Sequence, residues 1–201
     1  HEDNVKFPLF AEQIIDHLLT FLNENHQLSY IYSKSSKPFI RNVHIDDLSK
    51  GITFSSYLMI DKAAIQNVTD KPLIFKIQDQ VDNKLSIYTN GISILCEISS
   101  NYGISSISMT SVIPSCEWIM VTVSFVNLDE DFLKINYTFN KDELLTFKVK
   151  NPHFVGTSFN IQIGGFLEEA EQLGEIFCFL GPFNLYSSLL TTKQICNLYS
   201  C

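Results

Sequence analysis

The chain is expected to be mainly β, a two-sheet antiparallel sandwich with one helix at each end. Three observations predict this class. Between Phe39 and Tyr186, short apolar runs with period-two alternation recur at spacings of about 8–15 residues, punctuated by Asn, Asp, Gly and Ser. Helical periodicity is confined to the two ends. Hydrophobic residues make up 45% and charged residues 18% of the chain, with no low-complexity tract, which suits a packed domain. At 201 residues the chain is long enough to bury one ordinary core.

Residues 1–32 are read as a helical segment. Over 7–28, Phe10, Ile14, Leu18, Phe21 and Leu22 line one side, while Glu12, Asp16, Asn23 and Glu24 occupy the other. Pro8 suits the first turn, where its missing N–H costs nothing. A helix of this kind is not stable alone and must bury its stripe, on the sandwich or on another surface. The stripe Phe10, Ile14, Leu18, Phe21, Leu22 is therefore the candidate partner-contact face. The polar run SKSSK at 33–37 marks a linker, and 33–201 is expected to form the sandwich.

Beyond the linker the period changes to two. Phe39, Arg41, Val43 and Ile45 alternate in a strand closed by Asp46-Asp47, and further strands are expected at 52–60, 73–78, 85–88, 92–98 and 104–110. Asn90-Gly91 should form a hairpin turn, because both residues tolerate positive φ. Residues 118–126 are the longest and most apolar run, expected to be central and covered on both faces with Trp118 inside. After the acidic turn NLDED, 132–139 should place Leu133, Ile135 and Tyr137 on one face. Strands at 144–149, 159–164 and 175–180 follow, then a Gly181-Pro182 break and a second extended piece at 183–186. A short helix begins near Thr191, with Thr191 or Thr192 as N-cap and Ile195, Leu198 and Tyr199 on one face. Most of the 16 Phe should fill the space between the sheets.

A strand handing over to a short capped helix resembles the close of laminin-G-like, concanavalin A-type sandwiches. The wording LYSSLLTTKQIC at 185–196 closely resembles the end of the concanavalin A-like domain of BEACH proteins, the neurobeachin and beige family. Gly51-Ile52-Thr53-Phe54 with the run to Asp61, Lys71-Pro72-Leu73-Ile74-Phe75, the strand from Trp118 to Val123, and Ile161-Gln162-Ile163-Gly164 are similar to that domain's other strands, in the same order. The similarity covers 51–199, with Tyr57 where animal members usually carry Trp, and the Asn-, Lys-, Ser- and Ile-rich composition suits a distant member such as a fungal beige homologue. This resemblance implies a concanavalin A-like jelly roll. It further implies a non-catalytic protein-interaction and scaffolding module of a large protein acting in vesicle trafficking and protein sorting, cytoplasmic and peripheral to membranes. Its partners would be other proteins and flanking helical-repeat segments of the same chain, with membrane association indirect. A carbohydrate-binding lectin is the alternative.

The residues limit the chemistry. A net charge of −8 opposes nucleic-acid binding, which needs a basic stripe. No apolar run reaches the roughly 18 residues of a membrane span. No signal peptide is visible, and a segment cut from a longer chain would show none. Cys96, Cys116, Cys178, Cys196 and Cys201 are odd in number and scattered, so neither a disulfide framework nor a zinc site is expected, and a reducing compartment is favoured. Asn67-Val68-Thr69 and Asn136-Tyr137-Thr138 match glycosylation sequons of the kind that arise often by chance. Glycosidases of this architecture set two carboxylates about 5–5.5 Å apart on one strand; Glu117 stands alone, and the chain is read as a non-enzyme. Two acidic clusters, Asp129-Glu130-Asp131 and Asp79 with Asp82 and Asn83, offer oxygens, but neighbours on one turn seldom converge on calcium, so no metal and no cofactor are expected. His1, His17, His26, His44 and His153 show no ligand spacing, and Gly164-Gly165 belongs to no phosphate loop.

Overall fold

The computed structural model describes residues 30–31, 38–61, 71–101, 103–109, 113–140, 142–167 and 178–199. The expected N-terminal helix with Phe10, Ile14, Leu18, Phe21 and Leu22, and the linker at 33–37, lie outside these residues. Among these residues twelve strands form two six-stranded antiparallel sheets. The first runs β1 (Tyr30–Ile31), β12 (Cys178–Tyr186), β3 (Ile52–Ile60), β8 (Ile119–Asn127), β9 (Phe132–Phe139), β10 (Leu145–Lys150). The second runs β2 (Phe39–His44), β11 (Ser158–Ile163), β4 (Leu73–Gln78), β5 (Lys84–Thr89), β6 (Ile94–Ser100), β7 (Gly103–Ser108). Tyr30 pairs with Leu180, so the first sheet takes in residues on the N-terminal side of the expected boundary at 32/33.

Period-two alternation builds the core. Phe54, Leu58 and Ile60 of β3, Val121, Val123 and Phe125 of β8, and Leu133, Ile135 and Tyr137 of β9 face Phe75, Ile77, Leu85, Ile87, Phe159 and Ile161 of the other sheet in one buried cluster. Phe54 and Phe75 stack across the gap with ring centroids 4.7 Å apart. As expected, β8 is central and buried from Ile119 to Val126. The fold is thus the two-sheet antiparallel sandwich that the alternation predicts.

Three local expectations need correction. Trp118 is not in the core: it precedes β8 and is 51% exposed. In β8 the odd residues point inward, so an even-numbered Trp118 falls on the outer side of the sheet. Gly181-Pro182 does not break the last strand; β12 continues through it with a register shift between Leu180 and Phe183. The bulge needs glycine, since a Cβ at Gly181 would lie 2.9 Å from the Cβ of Tyr57. The turn after β5 spans 90–93, and only Gly91 has positive φ. Asn90 acts instead through its side chain, whose Oδ1 accepts from the N–H groups of Ile92 (3.0 Å) and Ser93 (2.8 Å).

The C-terminal segment folds back over the outer face of the first sheet. Thr53 Oγ1 donates to Ser188 O (2.8 Å) and accepts from Leu190 N (3.2 Å). Helix α1 (Thr192–Tyr199) follows, capped by Thr191: Gln194 N donates to Thr191 Oγ1, and Gln194 Oε1 accepts from Thr191 N at 2.8 Å. Ile195 is buried.

The placement of the aromatic residues carries a testable contrast. Phe75→Ala should lower stability by about 3–5 kcal/mol in urea unfolding, because it empties a sealed stack. Trp118→Ala should stay within about 1 kcal/mol of the parent chain.

Candidate functional site

Three loops meet at one end of the sandwich: 79–83 between β4 and β5, 128–131 between β8 and β9, and 151–157 between β10 and β11. Their hub is the buried Asp79. Its Oδ1 accepts from Val81 N (3.0 Å) and Asn83 N (2.8 Å), and its Oδ2 from Asn83 Nδ2 (2.9 Å) and Val155 N (2.9 Å). Asn83 Nδ2 also donates to His153 O at 3.0 Å. A buried carboxylate is tolerable only when its oxygens are this fully engaged, and bonds to an ionised acceptor are the stronger kind. Asp79 thereby ties the β4–β5 turn of one sheet to the loop that leaves the other.

The second acidic cluster is used in a similar way. Asp129 Oδ1 accepts from Asp131 N (3.0 Å) and Phe132 N (2.8 Å), holding the turn into β9. Asn151, also buried, donates from its backbone to Asp131 O (2.7 Å) and from Nδ2 to Asp129 O (3.2 Å), and its Oδ1 accepts from His153 N (2.9 Å). That grip holds His153 at φ +58°, in the left-handed region that non-glycine residues rarely occupy. Asp82 turns outward to Gln78 Nε2 (2.6 Å) and Lys84 Nζ (3.0 Å). Sequence reasoning picked out both clusters as weak ligand candidates and missed their mechanical use. The legible signal was Asp79-x-Val81-x-Asn83, a side chain positioned to bond backbone two and four residues on.

Between the 128–131 and 151–157 loops lies an open depression of about 630 Å³, lined by Asn127, Leu128, Asp129, Glu130, Asn151 and His153 and by Ser49, among others. Asn127 Oδ1 is buried there and has no hydrogen-bond partner among the described residues. Among the described residues no group of three or more His, Cys, Asp and Glu is placed to hold a metal ion. A second exposed feature is Trp118, whose ring lies beside Tyr57: a Cβ on Gly181 would sit 2.9 Å from Tyr57 Cβ and 3.4 Å from Trp118 Cζ3. Glu117 and Cys116 are exposed next to it.

Cys96, Cys116 and Cys178 are free thiols. Burial, with Glu97 adding to it, pushes the Cys96 thiol up to about 12, and burial alone raises Cys178 well above the ordinary thiol range. Both behave as small hydrophobes, the role expected for thiols inside apolar runs.

No protein-family model matches the chain, and no curated protein matches it. Solved structures do. The receptor binding domain of the botulinum neurotoxin C/D mosaic serotype matches with a TM-score of 0.61 at 16% identity, over 86% of this chain and 42% of that one. The botulinum neurotoxin serotype D binding domain matches with a TM-score of 0.62 at 15% identity, again over 86% and 42%. A structure of botulinum neurotoxin type C, a toxin that depends on interaction with two ganglioside molecules to enter cells, matches at 0.61 and 18% identity over 87% and 42%. The chain thus spans less than half the length of these neighbours, and at such identities the likeness shows the fold alone. The neighbours are binding domains with the jelly-roll-like sandwich. They are not BEACH proteins, so the expected fold is supported while the BEACH membership is not.

Two outcomes follow from this geometry. Asp79→Ala strands several buried donors and should cost on the order of 3 kcal/mol in urea unfolding. Asp82→Ala, on an exposed pair, should cost less than about 1 kcal/mol. In the folded chain at pH 8, iodoacetamide should alkylate Cys116 while sparing Cys96 and Cys178 until denaturant is added, as peptide mass mapping would read. Early labelling of Cys96 would contradict its burial.

Proposed function

We propose that the chain is a non-catalytic interaction module of a larger scaffolding protein of the BEACH type, acting in vesicle trafficking and protein sorting, cytoplasmic and peripheral to membranes. The observation that carries the non-catalytic part is the use of two rim carboxylates, Asp79 and Asp129. Both oxygens of Asp79 and Oδ1 of Asp129 are committed to holding loops, whereas a general acid or base needs an oxygen within reach of the substrate. The similar solved structures are binding domains, which fits a binding role. The scaffolding part rests on the LYSSLLTTKQIC resemblance. In this reading Phe10, Ile14, Leu18, Phe21 and Leu22 pack against flanking helical-repeat segments.

A second reading, carbohydrate binding, is favoured by one specific observation. Trp118 is 51% exposed beside Tyr57, and an exposed indole is a platform on which a sugar ring can stack.

Immunoprecipitation from cells that make the protein separates the two. Trafficking components should co-purify, and part of that set should be lost when Leu18→Glu and Leu22→Glu charge the helix stripe. Co-purification only of glycoproteins, released by free sugar and abolished by Trp118→Ala, would replace the scaffold reading by the second.

A further inference from the structure

Among the described residues the two sheets leave four outer strands: β1, β10, β2 and β7. An open edge offers backbone donors and acceptors to any extended chain, and proteins blunt it with shortness, charge or proline. Two of these four carry such a device: β10 has Lys148 and Lys150, and β2 has Arg41 and His44. β1 is described only at Tyr30–Ile31. β7 reads GISSIS over six residues, with neither charge nor proline. Its residues 103–106 are exposed, and Ile104 is 72% exposed.

The flank of the sandwich between β7 and β10 is not sealed. At the Ser108 end of β7 a depression of about 410 Å³ is lined by Met109, Tyr137, Phe139 and Leu145 and by the acids Asp142 and Glu143. At the Gly103 end a second, of about 230 Å³, is lined by Ile98, Ser105 and Lys150. Both draw their walls from the two sheets, so they open on the side of β7 that faces the interior. At about 3.3 Å per residue they lie about four residues apart along the strand.

We propose that β7 is a docking edge for an extended segment of a partner protein, which adds to the second sheet as a further antiparallel strand. Backbone hydrogen bonds along 103–107 hold the segment, and its side chains at i and i+4 enter the two depressions. The polarity of the flank sets direction. An antiparallel strand begins beside Asp142 and Glu143 and ends beside Lys150. The segment that fits alternates apolar residues on one face, carries a basic residue at its N-terminal end and an acidic one at its C-terminal end. This inference holds whether or not the chain belongs to a BEACH scaffold.

A phage-displayed library of random peptides of about nine residues, selected on the 201-residue chain and counter-selected on Ser105→Lys, tests it. Ser105 is exposed and its side chain points to the inner side of the edge, so the lysine blocks strand addition without emptying the core. Enriched peptides should show the alternation and the charge order, and a synthetic representative should bind Ser105→Lys at least about tenfold more weakly. The same peptide N-methylated at alternate residues, which keeps its side chains and loses the N–H donors, should lose binding to a similar extent. Unchanged thermal unfolding of Ser105→Lys confirms that the edge alone was altered. The proposal is overturned if nothing is enriched on the parent chain, or if the peptides bind Ser105→Lys or tolerate N-methylation equally well. It is also overturned if light scattering shows a dimer that Ser105→Lys dissolves, since a second copy would then occupy the edge.

Discussion

The pairing of the last strand with β3 is the constraint on which the sandwich depends. β3 is buried along nearly its whole length, which only an interior strand can be. β12 gives it that position, since the pairing with β8 satisfies only the other side. The contact is close enough to dictate sequence. Gly181 passes against Tyr57, and Ser56 Oγ donates to Gly181 O at 3.2 Å across a separation of 125 residues. Thr53 binds the segment after β12 across 135 residues. Loop closure on this scale must precede the contacts that reward it, so the completed first sheet is a late, non-local event.

The outer face of that sheet is unlike an ordinary wet face. Thr53, Ser55, Thr122, Ser124, Asn136 and Thr138 are on it and buried, together with Met120. Their hydroxyls find partners locally: Thr122 Oγ1 lies 3.4 Å from Ser55 Oγ, Thr146 Oγ1 donates to Asn136 Oδ1 at 2.9 Å, and Thr138 Oγ1 to Asp142 O at 2.8 Å. Burial also raises the Tyr186 phenol above its usual range. Small hydroxyl side chains permit close cover from above while remaining satisfied, which unpaired larger polar groups would not. This double burial is why β8 reads as a continuous apolar run with Ser and Thr inserted.

Strand positions were legible because period two survives averaging over six to nine residues. The runs 52–60, 73–78 and 132–139 coincide with β3, β4 and β9. What escaped the sequence was set by single residues. Trp118 lies one position before β8, where parity decides inside from outside, and hydrophobicity alone placed it wrongly. Gly181-Pro182 carries a breaker composition, yet the pull of β3 on one side and β1 on the other keeps the strand running through a bulge. The role of Asp79 depends on a loop 76 residues away, as its bond from Val155 N shows, and that of Asn151 on a turn 22 residues away, and no local pattern encodes such meetings.

The division of labour between acids and edges gives this sandwich its character. A carboxylate that accepts two donors on each oxygen cannot also bind an ion or move a proton without releasing a loop, so Asp79 trades chemistry for rigidity. The loops at that end become part of the frame. Backbone edges behave differently, because their hydrogen-bonding capacity cannot be removed by choosing another side chain; it can only be hidden or used. Where β10 places Lys148 over the Phe132 ring, with Nζ 3.7 Å from its centroid, the flanking strand is covered by its own charged side chain. β7 presents serine and isoleucine instead. Neurotoxin binding domains and this chain share a frame at 13–18% identity, so the frame itself carries no specificity. What distinguishes this chain therefore lies in features outside the shared frame, such as the uncharged β7 edge and the exposed indole of Trp118.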